Sequence, residues 1–275
     1  MQSKNYAYVN GRFVPEAEAT VSIFDRGFLY GDGCFETMRV YRGRTFRTLE
    51  HFGRLLEGLK ALKIESQLSP EELWAVCRVL VDKNEVKEGV ARVYVTRDST
   101  VVTLRQYTMQ PVELRAMIST VRVDPRLSGF KTANRLPYLL AQQEAVQAGV
   151  NDAVLLNTNG RVVEFTTSNL FVVKDDELFT PPLTDGPLPG ITRRAVLALA
   201  AERGMATRER SFGQEFLENA DEVFATNSLM EITSVVTWSR WLKVTLRMQD
   251  AYRALVANEL STPAPPKPAG WTSRQ

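Results

Sequence analysis

Three stretches of the sequence hold residues whose types and spacing can do chemistry. Lys131 stands in Lys131-Thr-Ala-Asn-Arg-Leu-Pro137, just before an apolar helical run from Leu136 to Ala148. An amine at a helix mouth, backed by hydrophobic residues, can be desolvated. That lowers its pKa and frees its lone pair for Schiff-base chemistry. A lysine is also an ordinary solvated surface charge, and the local sequence fits both readings. Glu164 lies in Val163-Glu164-Phe-Thr-Thr-Ser-Asn169, an acid at a strand end followed by small polar residues. If buried it needs a cationic partner, such as a protonated pyridine nitrogen. A solvent-facing acid before a polar turn fits the same residues. Leu188-Pro-Gly-Ile-Thr192 opens a helix whose first N–H groups suit phosphate, with glycine allowing close approach. The planar fork of Arg54 and the strand end Thr226-Asn227-Ser228 are further phosphate candidates. The loop Gly31-Asp-Gly-Cys-Phe35-Glu36 can wall a pocket, or be a glycine turn held for backbone reasons.

Composition narrows the classes of function. The 275 residues suffice for one large or two smaller domains with a full core. A net charge of +2 gives no electrostatic case for nucleic acid or an anionic membrane. Two cysteines, Cys34 and Cys77, make neither a disulfide framework nor a metal spacing, and read as free thiols in a reducing, cytoplasmic setting. The start, Met1 to Tyr6, is polar, with no signal-peptide core, and no apolar run is long enough to span a membrane. His51 is the one histidine, so neither a Ser-His-Asp triad nor a metal site is expected, and it reads as a packed or capping residue.

These residues need elements to hold them. Tyr6 to Val14 reads as a hairpin turning at Asn10-Gly11. A strand is predicted over Cys34 to Tyr41, and an amphipathic helix over Leu49 to Leu62, with Phe52, Leu55, Leu56, Leu59 and Leu62 inward. Ser69-Pro-Glu-Glu72 is a helix start, with the helix running to about Lys83. Gly89 to Arg97 and Gln106 to Val123 read as strands. Residues 1–118 form an expected N-terminal α/β domain, 119–128 a linker, 129–260 a C-terminal domain and 261–275 a Pro-rich tail. In the second half, strands are predicted over 153–157, 161–164, 170–173, 177–180, 221–227 and 231–238, and helices over 136–148, about 191–203 and 245–260.

Six pieces in this order resemble the class-IV aminotransferases, the fold-type IV enzymes that use pyridoxal 5′-phosphate. They are Phe24-Asp-Arg-Gly-Phe-Leu-Tyr-Gly-Asp-Gly33, Glu50-His-Phe-Gly-Arg54, Lys131-x-x-Asn-Arg-Leu, Glu164-x-Thr-Thr-Ser-Asn-Leu-Phe, Leu188-Pro-Gly-Ile-Thr-Arg and Ala220-Asp-Glu-Val-Phe-x-Thr-Asn. The resemblance implies an α/β (α+β) protein of two domains, the smaller N-terminal, the larger C-terminal and β-rich with flanking helices. It also implies a cofactor between them and a homodimer that completes each site. On this reading Lys131 is the Schiff-base lysine and general acid/base, and Glu164 partners the pyridinium nitrogen. Arg54, the N–H groups of Ile191 and Thr192, and Ser228 form the phosphate cup, with Thr167, Ser168, Gly190 and Asn227 also binding the cofactor. Tyr30, Phe35, Glu36, Arg97 and Leu229 are expected around a small amine or amino-acid substrate. Within the family, Lys131-Thr-Ala-Asn-Arg-Leu and Thr226-Asn-Ser-Leu-Met230 look most like 4-amino-4-deoxychorismate lyases, which make 4-aminobenzoate for folate. D-amino-acid and branched-chain aminotransferases are the alternatives. The chain departs from the family at Phe165, commonly a small residue, after Arg97, where Asp98-Ser-Thr-Val-Val-Thr replaces the common Gly-rich loop, and in lacking the histidine that works with this arginine on the substrate carboxylate in D-amino-acid aminotransferases.

Overall fold

The structure is a computed structural model and describes residues 5–110 and 113–262. The fold falls into two compact units. Of the described residues, the first holds those to Met109, together with Lys131–Asn134 and 260–262; the second holds those of Gln110–Phe130 and Arg135–Glu259.

The first unit is a six-stranded sheet covered by two helices. Its strands are β1 (Tyr6–Val9), β2 (Arg12–Pro15), β3 (Gly33–Tyr41), β4 (Arg44–Thr45), β5 (Gly89–Thr96) and β6 (Thr100–Gln106), in the order β2-β1-β6-β5-β3-β4. Asn10 and Gly11 both take positive φ, as a two-residue turn between twisted strands requires. A short helix α1 (Arg26–Tyr30) precedes β3, capped by Asp25. Helices α2 (Thr48–Ala61) and α3 (Pro70–Lys83) bury Phe52, Leu55, Leu59, Leu73, Val76 and Leu80 against Met38, Val40, Val93 and Val102. The Ser69–Glu72 capping box starts α3 as the sequence predicts.

The second unit contains two sheets. β7 (Ala116–Val123), β8 (Asp152–Asn157) and β9 (Val162–Phe165) make one. The other runs β12 (Thr207–Glu209), β11 (Glu177–Thr180), β10 (Asn169–Lys174), β13 (Glu222–Asn227), β14 (Glu231–Ser234). The helices are α4 (Pro125–Ser128), α5 (Leu136–Gln147), α6 (Ile191–Glu202), α7 (Gln214–Glu218) and, up to Glu259, α8 (Lys243–Ser261). β8 is buried on both faces, which explains its unbroken apolar run. Val154 and Leu156 pack among the strands, while Ala153 and Leu155 meet Tyr138, Ala141 and Ala145 of α5.

Three expectations change. Residues 119–128 are not a linker: they finish β7, paired in parallel with β8, and form α4. The units part after Met109. A parallel strand finds its partner only after a long crossover, so its pairing is not local in sequence. Of the strand predicted over Gln106–Val123, Gln106 is the last residue of β6 and Ala116–Val123 form β7, and the two strands lie in different units. β12 and α7, three and five residues long, are too short to show a period. Of the expected Pro-rich tail, residues 263–275 lie outside the described residues.

Candidate active site

The first unit fixes Lys131 by strand pairing. Its carbonyl accepts the Phe35 N–H at 2.9 Å, Thr132 bridges Cys34, and the Ala133 N–H donates to the Gly33 carbonyl at 2.8 Å. Lys131 therefore runs along the start of β3, in a different unit from α5, the helix whose mouth the sequence suggested. The side chain is half-buried, with Nζ 4.7 Å from the Phe35 ring centroid. Phe35 stacks in turn on Tyr94 at 5.3 Å. A lysine side-chain nitrogen over a ring face is attracted by the ring quadrupole when charged, so Phe35 helps to orient it.

Strand alternation sends Glu36 the other way. Cys34, Met38 and Val40 of β3 join the core beneath α2 and α3, and Glu36 lies on that covered face. It is 0% exposed. Arg54 grips it with Nε on Oε1 and Nη2 on Oε2, both at 2.7 Å, and His51 Nδ1 lies 2.8 Å from Oε2. Glu36 is thus an internal anchor and not the pocket residue expected from sequence. Burial would raise its pKa, but the Arg54 charge and His51 overcome this and hold it at about 2. Burial pushes His51 below its ordinary value against the pull of Glu36. Arg97 is exposed, with Nε 3.9 Å from Asp32 and Nη1 donating to the Lys63 carbonyl at 3.4 Å. Tyr30 is exposed in α1, against the Arg26 guanidinium.

The second unit gathers the other expected residues. A β-bulge in β9 leaves Val163 as the extra residue, so that Glu164 pairs with Leu155 and Val162 with Leu156. Glu164 is thereby turned toward α5, while Phe165 pairs with Val154 and fills the core at 0% exposure. Glu164 is 4% exposed. Oε2 accepts from Asn169 Nδ2 and the Leu188 N–H, each at 3.1 Å, and Oε1 from the Tyr138 hydroxyl at 3.3 Å. Asn169 Nδ2 also donates to the Leu188 carbonyl at 2.8 Å, tying Glu164 to the loop that opens α6.

Gly190 is the N-cap of α6, with no side chain capping it, and Ile191 and Thr192 supply the first amides. A Cβ on Gly190 would lie 1.9 Å from Asn169 Oδ1, so glycine alone fits. Asn169 pairs with Thr226 across β10 and β13, and this register brings the 166–168 turn beside Asn227. Asn227 Nδ2 donates to Ser168 Oγ at 2.9 Å, and its Oδ1 accepts the N–H groups of Leu229 and Met230. Thr167 and Ser168 are thus held beside the Asn227–Ser228 turn, Thr167 exposed and Ser168 buried.

The donor set suits pyridoxal 5′-phosphate. A buried carboxylate fixed by Asn169, Leu188 and Tyr138 is placed to take a cationic ring nitrogen, and the α6 mouth, with glycine at its cap, offers backbone amides to a phosphate. Sequence reading missed Tyr138, Arg135 and the anchoring role of Asn169. Only the i, i+3 spacing of Arg135 and Tyr138 could have linked the first two.

The amino-transferase class IV model matches residues 33–238. A Methanocaldococcus jannaschii protein, provisionally assigned as a branched-chain-amino-acid aminotransferase, is 37% identical over 83% of this chain and 86% of its own. The Bacillus subtilis aminodeoxychorismate lyase is 32% identical over 82% of this chain and 84% of its own. The solved branched-chain amino acid aminotransferase of Escherichia coli superposes with a TM-score of 0.86 at 30% identity, covering 98% of this chain and 99% of that one. With its fold, its ordered motifs and these relatives, the chain belongs to the class-IV aminotransferases, which are pyridoxal 5′-phosphate-dependent enzymes.

Proposed function

We propose that the enzyme is a 4-amino-4-deoxychorismate lyase, releasing 4-aminobenzoate and pyruvate. The observation that carries this reading is the pair of lyase-like segments: Lys131-Thr-Ala-Asn-Arg-Leu, and the turn in which Asn227 binds the amides of Leu229 and Met230. The Bacillus subtilis relative supports it. Lys131 holds the cofactor and then takes the proton from the amine-bearing carbon of the substrate. Glu164 faces the ring nitrogen, held by Asn169, Leu188 and Tyr138. The amides of Ile191 and Thr192 and the residues Arg54, Asn227 and Ser228 hold the phosphate, with Thr167, Ser168 and Gly190 shaping its surroundings. Bound pyridoxal 5′-phosphate supplies the electron sink. The C–O bond to the neighbouring enolpyruvyl group then breaks, the departing enolpyruvate takes up a proton on its methylene carbon to become pyruvate, and no second substrate is consumed.

The 37% identical relative favours a second reading, an amino-acid transaminase of branched-chain or D-amino-acid type. There the proton is returned and the amino group passes to a keto acid. Incubation with 4-amino-4-deoxychorismate and no keto acid decides between them. The lyase yields 4-aminobenzoate and pyruvate in equal amounts. Keto-acid-dependent turnover of amino acids with no aminobenzoate would replace it with the transaminase. Lys131→Ala should end turnover in either case, and borohydride should fix the cofactor's mass on the wild-type chain only.

A homodimer in the cytoplasm completes the proposal. Ile23, Phe24, Phe28 and Tyr30 are each at least 65% exposed within one short segment, an apolar patch that a second copy would cover. Light scattering on the eluting protein should give twice the chain mass. No helix among the described residues is long and apolar enough to cross a membrane.

A further inference from the structure

Beneath Glu164 lies a pair of residues that the family motifs leave without a role. Tyr138 is 7% exposed and points its hydroxyl at Glu164 Oε1, 3.3 Å away. The Arg135 guanidinium carbon sits 3.3 Å from the Tyr138 ring centroid, and Nη2 donates to the Thr166 carbonyl at 2.9 Å. Thr166 is itself pinned, since its N–H and hydroxyl both donate to buried Asp152. Arg135 is therefore a fixed cation against a fixed ring, and Tyr138 is a fixed donor to a buried carboxylate. A hydrogen bond to the charged form of an acid stabilises that form, and a cation beside the donor strengthens it.

We propose that Tyr138, polarised by Arg135, is a positioning residue that aims Glu164 and sets how strongly it holds the proton on the cofactor ring nitrogen. This rests on the reading that Glu164 partners that nitrogen. Among the groups facing the Glu164 carboxylate are Tyr138 from α5, Asn169 from β10 and the Leu188 N–H before α6, and Arg135 is the charge beside Tyr138. Burial, then the Glu164 charge, pushes the Tyr138 hydroxyl far up, so it stays a donor throughout the neutral range. Tyr138→Phe removes the hydroxyl, with its bonds to Glu164 and Arg135, and leaves the ring against Arg135.

The test is a pH titration of the visible absorption band of the unreacted holoenzyme, with kcat and KM measured alongside, for wild type, Tyr138→Phe, Arg135→Gln and Glu164→Gln. Glu164→Gln should displace the midpoint most, Tyr138→Phe part of the way and Arg135→Gln less. In Tyr138→Phe, kcat should fall about tenfold with KM little changed, the size expected for one lost bond to a charged group. If Glu164→Gln moves the band while Tyr138→Phe titrates like wild type, the positioning role is overturned and the role of Glu164 stands. If Glu164→Gln itself leaves the band unmoved, the reading of Glu164 fails, and this proposal with it. Should Tyr138→Phe not fold, Arg135→Gln carries the test, and a wild-type midpoint there rejects the proposal.

Discussion

Arg54 and Glu36 meet edge to edge inside the first unit, Nε to Oε1 and Nη2 to Oε2, each at 2.7 Å. The arginine that sequence assigns to phosphate is thus aimed by a carboxylate that never reaches solvent. Two parallel bonds fix the guanidinium plane, which one bond would leave free to rotate.

This pairing predicts an acid-labile increment of stability. The Glu36 carboxyl is held at about 2 in the fold, below its ordinary 4.5. A depressed folded-state pKa stabilises above the unfolded value and is lost as pH falls through the folded one. Glu36 should therefore contribute about 3 kcal/mol at neutral pH, lost as pH falls from roughly 4.5 to roughly 2. Urea melts of wild type and Glu36→Gln across that window should converge toward low pH. Parallel curves would show that the pair carries no such linkage.

Cys34 and Cys77 should be inert in the native protein. Burial pushes both thiols up to about 12, helped at Cys34 by Glu36 and Asp32. The thiolate is the reactive form, and at pH 8 almost none is present. Alkylation should proceed in urea and hardly at all without it. Rapid modification of the folded chain would contradict the burial.

Gly190→Ala should damage both the fold and the cofactor site. Its Cβ would stand 1.9 Å from Asn169 Oδ1, and Asn169 also holds Glu164 and Leu188. Displacing it should cost about 1–3 kcal/mol, as overpacking does. A thermal melt and a cofactor titration both report on it. An alanine variant with unchanged melting and unchanged cofactor affinity would refute the close packing.

Glu222 in β13 caps α8 from outside the helix. It accepts the amides of Val244 and Thr245 and the Thr245 hydroxyl, at 2.7–2.8 Å. Glu222→Ala strands buried donors and should cost about 1–3 kcal/mol in urea denaturation. Asp250→Ala, at a side chain 80% exposed on the same helix, should stay within about 0.5 kcal/mol of wild type. Equal costs at the two positions would contradict the cap.

Much of this protein was legible in the chain alone. The Asn10-Gly11 hairpin, the Ser69 capping box, the α2 periodicity and the Leu188-Pro-Gly190 helix entry are local signals, each set by residues within a few positions of one another. The motif order likewise pointed to the family and its cofactor, because each motif is a contiguous piece of chemistry. Only the tertiary structure decided where the key side chains point. Lys131 is held by β3, about a hundred residues away, because backbone pairing ignores sequence distance. Glu36 is sealed beneath α2 by the parity of its strand. A single bulge at Val163 turns Glu164 toward Tyr138, and a shift of one residue in register reverses the face of every side chain beyond it.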